Sequence, residues 1–124
     1  MMYDDCAGYI QRVSKLTELL HGKWKLEILC AMRNEPVRLS QLQRLMPSAS
    51  KKGLRASLRS LESTGIVVRR DLSVTVLHVE YDFADDMRQV MCSLLDAMAD
   101  WGTIFEARRK DPVSSPSPAK RDAE

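Results

Sequence analysis

Ser50-Lys51-Lys52-Gly53-Leu54-Arg55-Ala56-Ser57-Leu58-Arg59-Ser60-Leu61-Glu62-Ser63-Thr64-Gly65 reads as one helix with two chemically opposed faces. Ser50 is a natural N-cap, and Gly65 stops the helix at its C-terminal end. With Lys51 at zero and about 100° per residue, Arg55 falls near 40°, Arg59 near 80° and Lys52 near 100°. On the same wheel Leu54, Leu58 and Leu61 fall at about 300°, 340° and 280°. The leucines can therefore pack inward while four cations point outward along one strip. A solvated helix normally mixes Glu with Lys in i, i+4 pairs, whereas here the first acid, Glu62, comes only in the last turn.

Working outward, Val13, Leu16, Leu19 and Leu20 have helical spacing, and His21-Gly22 ends that run. A second helix carries Trp24, Ile28, Leu29 and Met32 until Asn34-Glu35-Pro36 breaks it. Val37-Arg38-Leu39 is a short extended stretch, and Ser40 then caps a helix with Leu42, Leu45 and Met46. Pro47 closes it, and Ser48-Ala49 turns the chain into the Ser50 helix. Beyond Gly65 the pattern is β: a strand at 66–70, a tight connection Asp71-Leu72-Ser73, and a second strand from Val74 to Phe83. A long helix from about Ala84 to Arg109 follows, and Asp111 to Pro118 reads as a disordered tail. The expected architecture is mainly α with a small β-hairpin wing, a winged helix-turn-helix with a long C-terminal dimerisation helix. The expected organisation is an arm at 1–10, one domain at 11–110 and a tail at 111–124.

The charge distribution points the same way. Residues 38–70 hold eight basic side chains and one acid, a local charge of +7, while the remainder carries eleven basic and sixteen acidic residues, a charge of −5. Such segregation makes a focused positive field that attracts and orients a polyanion. A helix built like 50–65 suits the major groove of duplex DNA, where cations meet phosphates and guanine edges. Arg55 and Arg59, or alternatively Lys52, are the candidates for guanine edges, and Lys51, close to the helix start, is the candidate for phosphate. Ser50 leaves the first helical amides free to meet a phosphate, and Gly53 and Ala56 are small enough for close approach. Arg38, and Arg69 and Arg70 at the end of the first wing strand, complete the DNA-binding set.

In the last helix Met87, Met91, Leu94, Met98, Trp101 and Phe105 recur at alternating intervals of four and three, a heptad-like seam. Val90, Leu95 and Ile104 add a second apolar line. One small domain cannot cover so wide an arc, so the expected cover is a second copy of the chain, with Leu16 and Leu20 of the first helix contributing. The expected partners are thus a palindromic duplex operator and a homodimer mate.

Other classes fit less well. His21 and His78 have no cysteine or serine partner at a catalytic spacing, and no phosphate-binding glycine loop occurs, so neither enzyme nor cofactor is expected. Cys6, Cys30 and Cys92 form neither a disulfide framework nor a metal motif, and Cys30 and Cys92 read as buried thiols. The chain is 44% apolar with no run long enough to span a membrane, and its acidic start is unlike a signal peptide, so a cytoplasmic protein is expected. With 6% aromatics it lacks the stacking surface that single-stranded RNA prefers. The rival reading is a winged-helix adaptor that meets an acidic protein without specific DNA binding.

Several segments in order resemble the HxlR-type winged-helix regulators of the MarR-like group. They are Gly22-Lys23-Trp24, Leu26-Glu27-Ile28-Leu29, Arg38-Leu39-Ser40-Gln41-Leu42, Leu45-Met46-Pro47 and Ser50-Lys51-Lys52-Gly53-Leu54. Leu58-Arg59-Ser60-Leu61-Glu62, Gly65-Ile66-Val67, Glu80-Tyr81 and Trp101-Gly102 continue the match, which covers roughly 11–102. The resemblance implies a DNA-binding dimer joined through its first and last helices. It also implies a sensing cysteine at position 11, where this chain has Gln11; Cys6, five residues earlier, is the candidate thiol sensor. Leu72 and Val74 stand where similar proteins tend to have proline and arginine, which makes the wing short and hydrophobic.

Overall fold

The computed structural model describes residues 6–110, so the first half of the expected arm, 1–5, and the whole 111–124 tail lie outside the described residues. The elements are α1 (Cys6–Leu20), α2 (Lys25–Ala31), α3 (Leu39–Leu45), α4 (Lys51–Ser63), β1 (Val67–Asp71), β2 (Val79–Phe83) and α5 (Arg88–Lys110). The fold is the expected winged helix-turn-helix, mainly helical with one antiparallel hairpin. Helix α1 begins at Cys6 and so runs through the boundary expected between residues 10 and 11. One compact unit reaches to Arg88 and a second begins at Gln89.

In the first unit α4 packs on α2, α3 and β1. Its leucines do what their spacing demands: Leu54, Leu58 and Leu61 are buried together with Ile28, Leu29, Met32, Leu42, Val67 and Phe83. Each fully buried side chain of this kind stabilises by roughly 1.5–3 kcal/mol, which fixes the orientation of α4 and hence of its opposite face. Ser57, also buried, donates from Oγ to the Lys23 carbonyl at 2.8 Å and ties the turn before α2 to α4. That turn is tight: Gly22 has φ +130° and Trp24, the N-cap of α2, has φ +73°. A bulky residue in the left-handed region is uncommon, and here the preceding residue, Lys23, is tied to α4 through Ser57.

The cap of α3 lies two residues earlier than expected. Arg38, not Ser40, is the N-cap, in extended conformation (φ −110°, ψ 158°). The Arg38 N–H donates to Gln41 Oε1 at 2.7 Å, so the glutamine at the third helical position reaches back and starts the helix at Leu39.

The second wing strand is shorter than its alternation suggests. Only Val79–Phe83 pairs with β1, and Val74, Val76 and Leu77 are exposed in a loop. Polar groups at the loop base take up the backbone instead of a longer ladder. The Ser73 N–H donates to Asp71 Oδ1 at 3.0 Å, the His78 N–H to Ser73 Oγ at 2.9 Å, and the Leu72 N–H to the His78 carbonyl at 2.7 Å. Register places Val67 opposite Phe83, Arg69 opposite Tyr81 and Asp71 opposite Val79 on one face. Val68 opposite Asp82 and Arg70 opposite Glu80 occupy the other. Tyr81 also bridges Val37, the two residues exchanging N–H···O bonds of 2.9 and 2.8 Å.

In the second unit Met91 and Leu95 are buried, and Val90, Met98, Trp101, Ile104 and Phe105 are exposed. Trp101 and Phe105 stack with centroids 5.3 Å apart and planes 11° from parallel. Helix α1 has no buried residue, and its Tyr9, Ile10 and Val13 are exposed. Cys30 is exposed and Cys92 half-buried, against the expectation of two buried thiols. Cys30 lies one step off the Ile28–Leu29 core face of α2 and borders an apolar groove with Leu26, Ala31, Leu45 and Met46. Among the described residues no helix is long and apolar enough to cross a membrane.

Candidate nucleic-acid interface

The interface begins at the N-terminus of α4. Ser50 Oγ accepts from the Gly53 N–H at 2.9 Å and caps the helix, with no acid in the first turn. A Cβ on residue 53 would stand 3.1 Å from Ser50 Oγ and 3.9 Å from Trp24 Nε1, so the smallness of Gly53 serves this cap and its tryptophan neighbour. Lys51, Lys52, Arg55 and Arg59 are all exposed, opposite the buried leucines. Among the described residues none of these four has an ion-pair partner. Their charge is therefore uncompensated among the described residues.

The wing arginines separate. Arg69 shares its face with Tyr81 and stays exposed, with Asp71 as its acidic neighbour. Hydrogen bonds from Ser73, chiefly, and then the charge of Arg69 hold the Asp71 carboxyl below the usual carboxylate range. Arg70 turns to the other face, 3.4 Å from Asp82 Oδ2 and 3.9 Å from Asp85. Asp82 is 6% exposed and also accepts from the Arg88 guanidinium and, at 2.8 Å, from the Phe83 N–H. Buried charges survive when paired and hydrogen-bonded in this way.

Between α4 and the hairpin lies a cleft of about 270 Å³ lined by Arg38, Leu39, Arg55, Arg69, Leu77, Val79 and Tyr81. A second cleft of about 350 Å³ is bordered by Arg55, Arg59, Glu62, Arg69 and Tyr81. Arg38 closes one rim by donating from Nη2 to the Leu77 carbonyl at 3.1 Å. Of the eight residues expected at DNA, Arg38, Arg55, Arg59 and Arg69 thus gather around these clefts. Ser50, Lys51 and Lys52 sit at the start of α4, and Arg70 stands apart with its acids. Sequence reading missed Tyr81, Leu77 and Asp82, because the expected connection at 71–73 sets Arg69 opposite Thr75, whereas the longer loop brings Tyr81 across from Arg69.

Residues 19–110 match the HxlR-like helix-turn-helix family. The chain belongs to that family. YdzF of Bacillus subtilis (strain 168), an uncharacterised HTH-type transcriptional regulator, is 39% identical over 85 residues, 68% of this chain and 77% of YdzF. YtcD of the same organism is 36% identical over 90 residues, 73% of this chain and 71% of its own. A crystal structure of the HTH-type regulator YtcD superposes with a TM-score of 0.68 at 33% identity, over 77% of this chain and 97% of that one. The redox regulator HypR in its reduced form gives a TM-score of 0.69 at 29% identity, over 84% of this chain and 99% of that one. This HxlR-like protein is a winged-helix transcriptional regulator by family and by fold.

Two further groups of side chains fall outside the basic face. His78 Nε2 lies 2.8 Å from Glu80 Oε2 in the wing. Burial, and then the charge of Glu27, push the Cys30 thiol above its ordinary pKa. No group of three or more metal-ligating side chains is assembled among the described residues.

Proposed function

We propose that this HxlR-like protein binds duplex DNA sequence-specifically as a homodimer and regulates transcription in the cytoplasm, acting by binding and not by catalysis. The observation that carries this reading is the face of α4, where Lys51, Lys52, Arg55 and Arg59 are exposed and uncompensated while the leucines behind them are buried. With α4 in the major groove, Lys51 and the first-turn amides meet phosphate, and Lys52 and Arg59 reach base edges. Arg69 approaches the backbone from the wing.

The dimer is supported by apolar side chains left exposed on the two terminal helices, Tyr9, Ile10 and Val13 on α1 and Met98, Trp101, Ile104 and Phe105 on α5. Leu16, Leu20, Met87 and Leu94 are half-exposed and belong to the same proposed interface, whereas Met91 is already buried within the chain. Two α4 helices about 34 Å apart would read a palindromic operator. Cys6, exposed at the first position of α1, is the candidate thiol sensor, in keeping with the likeness to HypR.

Selection of bound sequences from a random duplex pool, followed by sedimentation of the complex, tests the reading. A recurrent palindrome held by two protomers supports it. An unselected pool, or binding only to an acidic protein, supports the adaptor alternative.

A further inference from the structure

We propose that Arg55, Arg69 and Tyr81, with Arg38 at the rim, form a seat for one phosphate of the DNA backbone between α4 and the wing. This assignment rests on the DNA-binding reading above and makes Arg55 a phosphate ligand, not a reader of a guanine edge. The residues arrive from three separate elements. Arg38 stands at the N-cap of α3, Arg55 on the outward strip of α4, and Arg69 and Tyr81 are cross-strand partners in the hairpin. Their convergence is fixed by backbone, because Tyr81 is paired on one side to Arg69 and on the other to Val37, the residue before Arg38. The Arg38 bond to the Leu77 carbonyl holds the wing loop against this edge.

The electrostatics select an anion. No acid lines the cleft that holds Arg38, Arg55 and Arg69, and Glu62 borders only the adjoining one. Like charges gathered in one cleft repel one another until a negative group enters. A phosphate answers two planar guanidinium forks at once and neutralises them, and the Tyr81 phenol adds a neutral donor. A guanine edge offers two partial acceptors and leaves the net charge in place. The shared ligand also has a mechanical consequence: one phosphate bound by both α4 and β1 sets the wing's position from the helix.

The test is a double-mutant cycle on the selected duplex across a range of salt, with Arg55→Ala, Arg69→Ala and the double variant. Both arginines are exposed, so thermal melts should match the wild type and exclude misfolding. Each single variant should lose about tenfold in affinity, and its log–log salt slope should fall by about one per protomer without change in base preference. The double variant should fall no further than either single one, because both act on one phosphate. Additive loss in the double variant, or a relaxed base preference in Arg55→Ala, overturns the proposal.

A second arm titrates inorganic phosphate into the DNA-free protein and follows the arginine side chains by NMR. Saturable shifts at Arg55 and Arg69 that vanish in Arg55→Ala support the seat. Such shifts combined with an unchanged DNA slope would assign the cleft to a free phosphate compound and overturn the backbone assignment. If the wild type binds no duplex, the DNA reading itself fails, and this arm still decides whether the seat exists.

Discussion

Arg69 and Arg70 are consecutive in β1 yet serve opposite faces of the hairpin: Arg69 lies across from Tyr81 beside α4, and Arg70 is held 3.4 Å from the buried carboxylate of Asp82. Two arginines that look equivalent in sequence should therefore behave differently. Arg69→Ala should weaken duplex binding about tenfold and reduce its salt slope by about one per protomer. Arg70→Ala should leave affinity within about twofold and destabilise the fold by no more than about 1 kcal/mol, since its side chain is partly solvated. Parallel binding isotherms and urea melts check both, and equal losses of affinity would contradict the division.

Asp82 joins three partners, Arg70, Arg88 and the Phe83 amide, at a position with little access to water. Asp82→Ala should destabilise the protein by about 1–3 kcal/mol, because the Phe83 N–H and the two guanidinium groups lose their acceptor together. Asp82→Asn keeps the shape and one acceptor oxygen and should lose less. Urea midpoints at constant m-value measure this, and equal stability of Asp82→Ala and the wild type would remove Asp82 as a structural node.

The α5 surface makes the dimer testable without damaging the protomer. Trp101 and Ile104 are each more than 60% exposed, so changing both to Glu leaves the protomer's core intact. In an apolar interface the same change adds two unpaired charges and costs several kcal/mol. The variant should sediment as a monomer, keep its helical circular dichroism, and lose specific binding although every basic side chain of α4 remains. A folded variant that still sediments as a dimer would place the interface elsewhere.

Cys30 is exposed as a residue, but partial desolvation of its thiol, and then the charge of Glu27, hold its pKa above the ordinary value. Alkylation proceeds through the thiolate, so at pH 7.5 Cys30 should react more slowly than a free cysteine and accelerate as pH rises. Glu27→Gln should speed the reaction by removing one of the two causes. Site-resolved mass spectrometry of a timed alkylation checks this, and a Cys30 rate equal to that of free cysteine would contradict it.

The features legible in the sequence were those carried by local periodicity. The leucine and cation faces of α4, the Ser50 cap and the wing's first strand all follow from spacing within a few residues. Misreadings arose where a distant or competing partner decided. The Val74–Leu77 alternation looks like a strand, but Ser73 and Asp71 satisfy the backbone locally and close a loop. Ser40 looks like a cap, but Gln41 reaches back to Arg38. The opposite fates of Arg69 and Arg70, the role of Tyr81 and the burial of Asp82 all depend on hairpin register, which a one-residue slip would reverse.

The central claim, that the uncompensated basic face of this chain binds the backbone of duplex DNA, is tested most directly by the salt dependence of binding to the selected duplex. With roughly six to ten phosphates neutralised by a dimer, log affinity should fall against log salt with a slope of about −5 to −9. Replacing Lys51, an exposed cation at the first position of α4, with Ala should flatten that slope by about one per protomer while leaving base preference unchanged. A slope near zero for the wild type would contradict the account, whatever the fold.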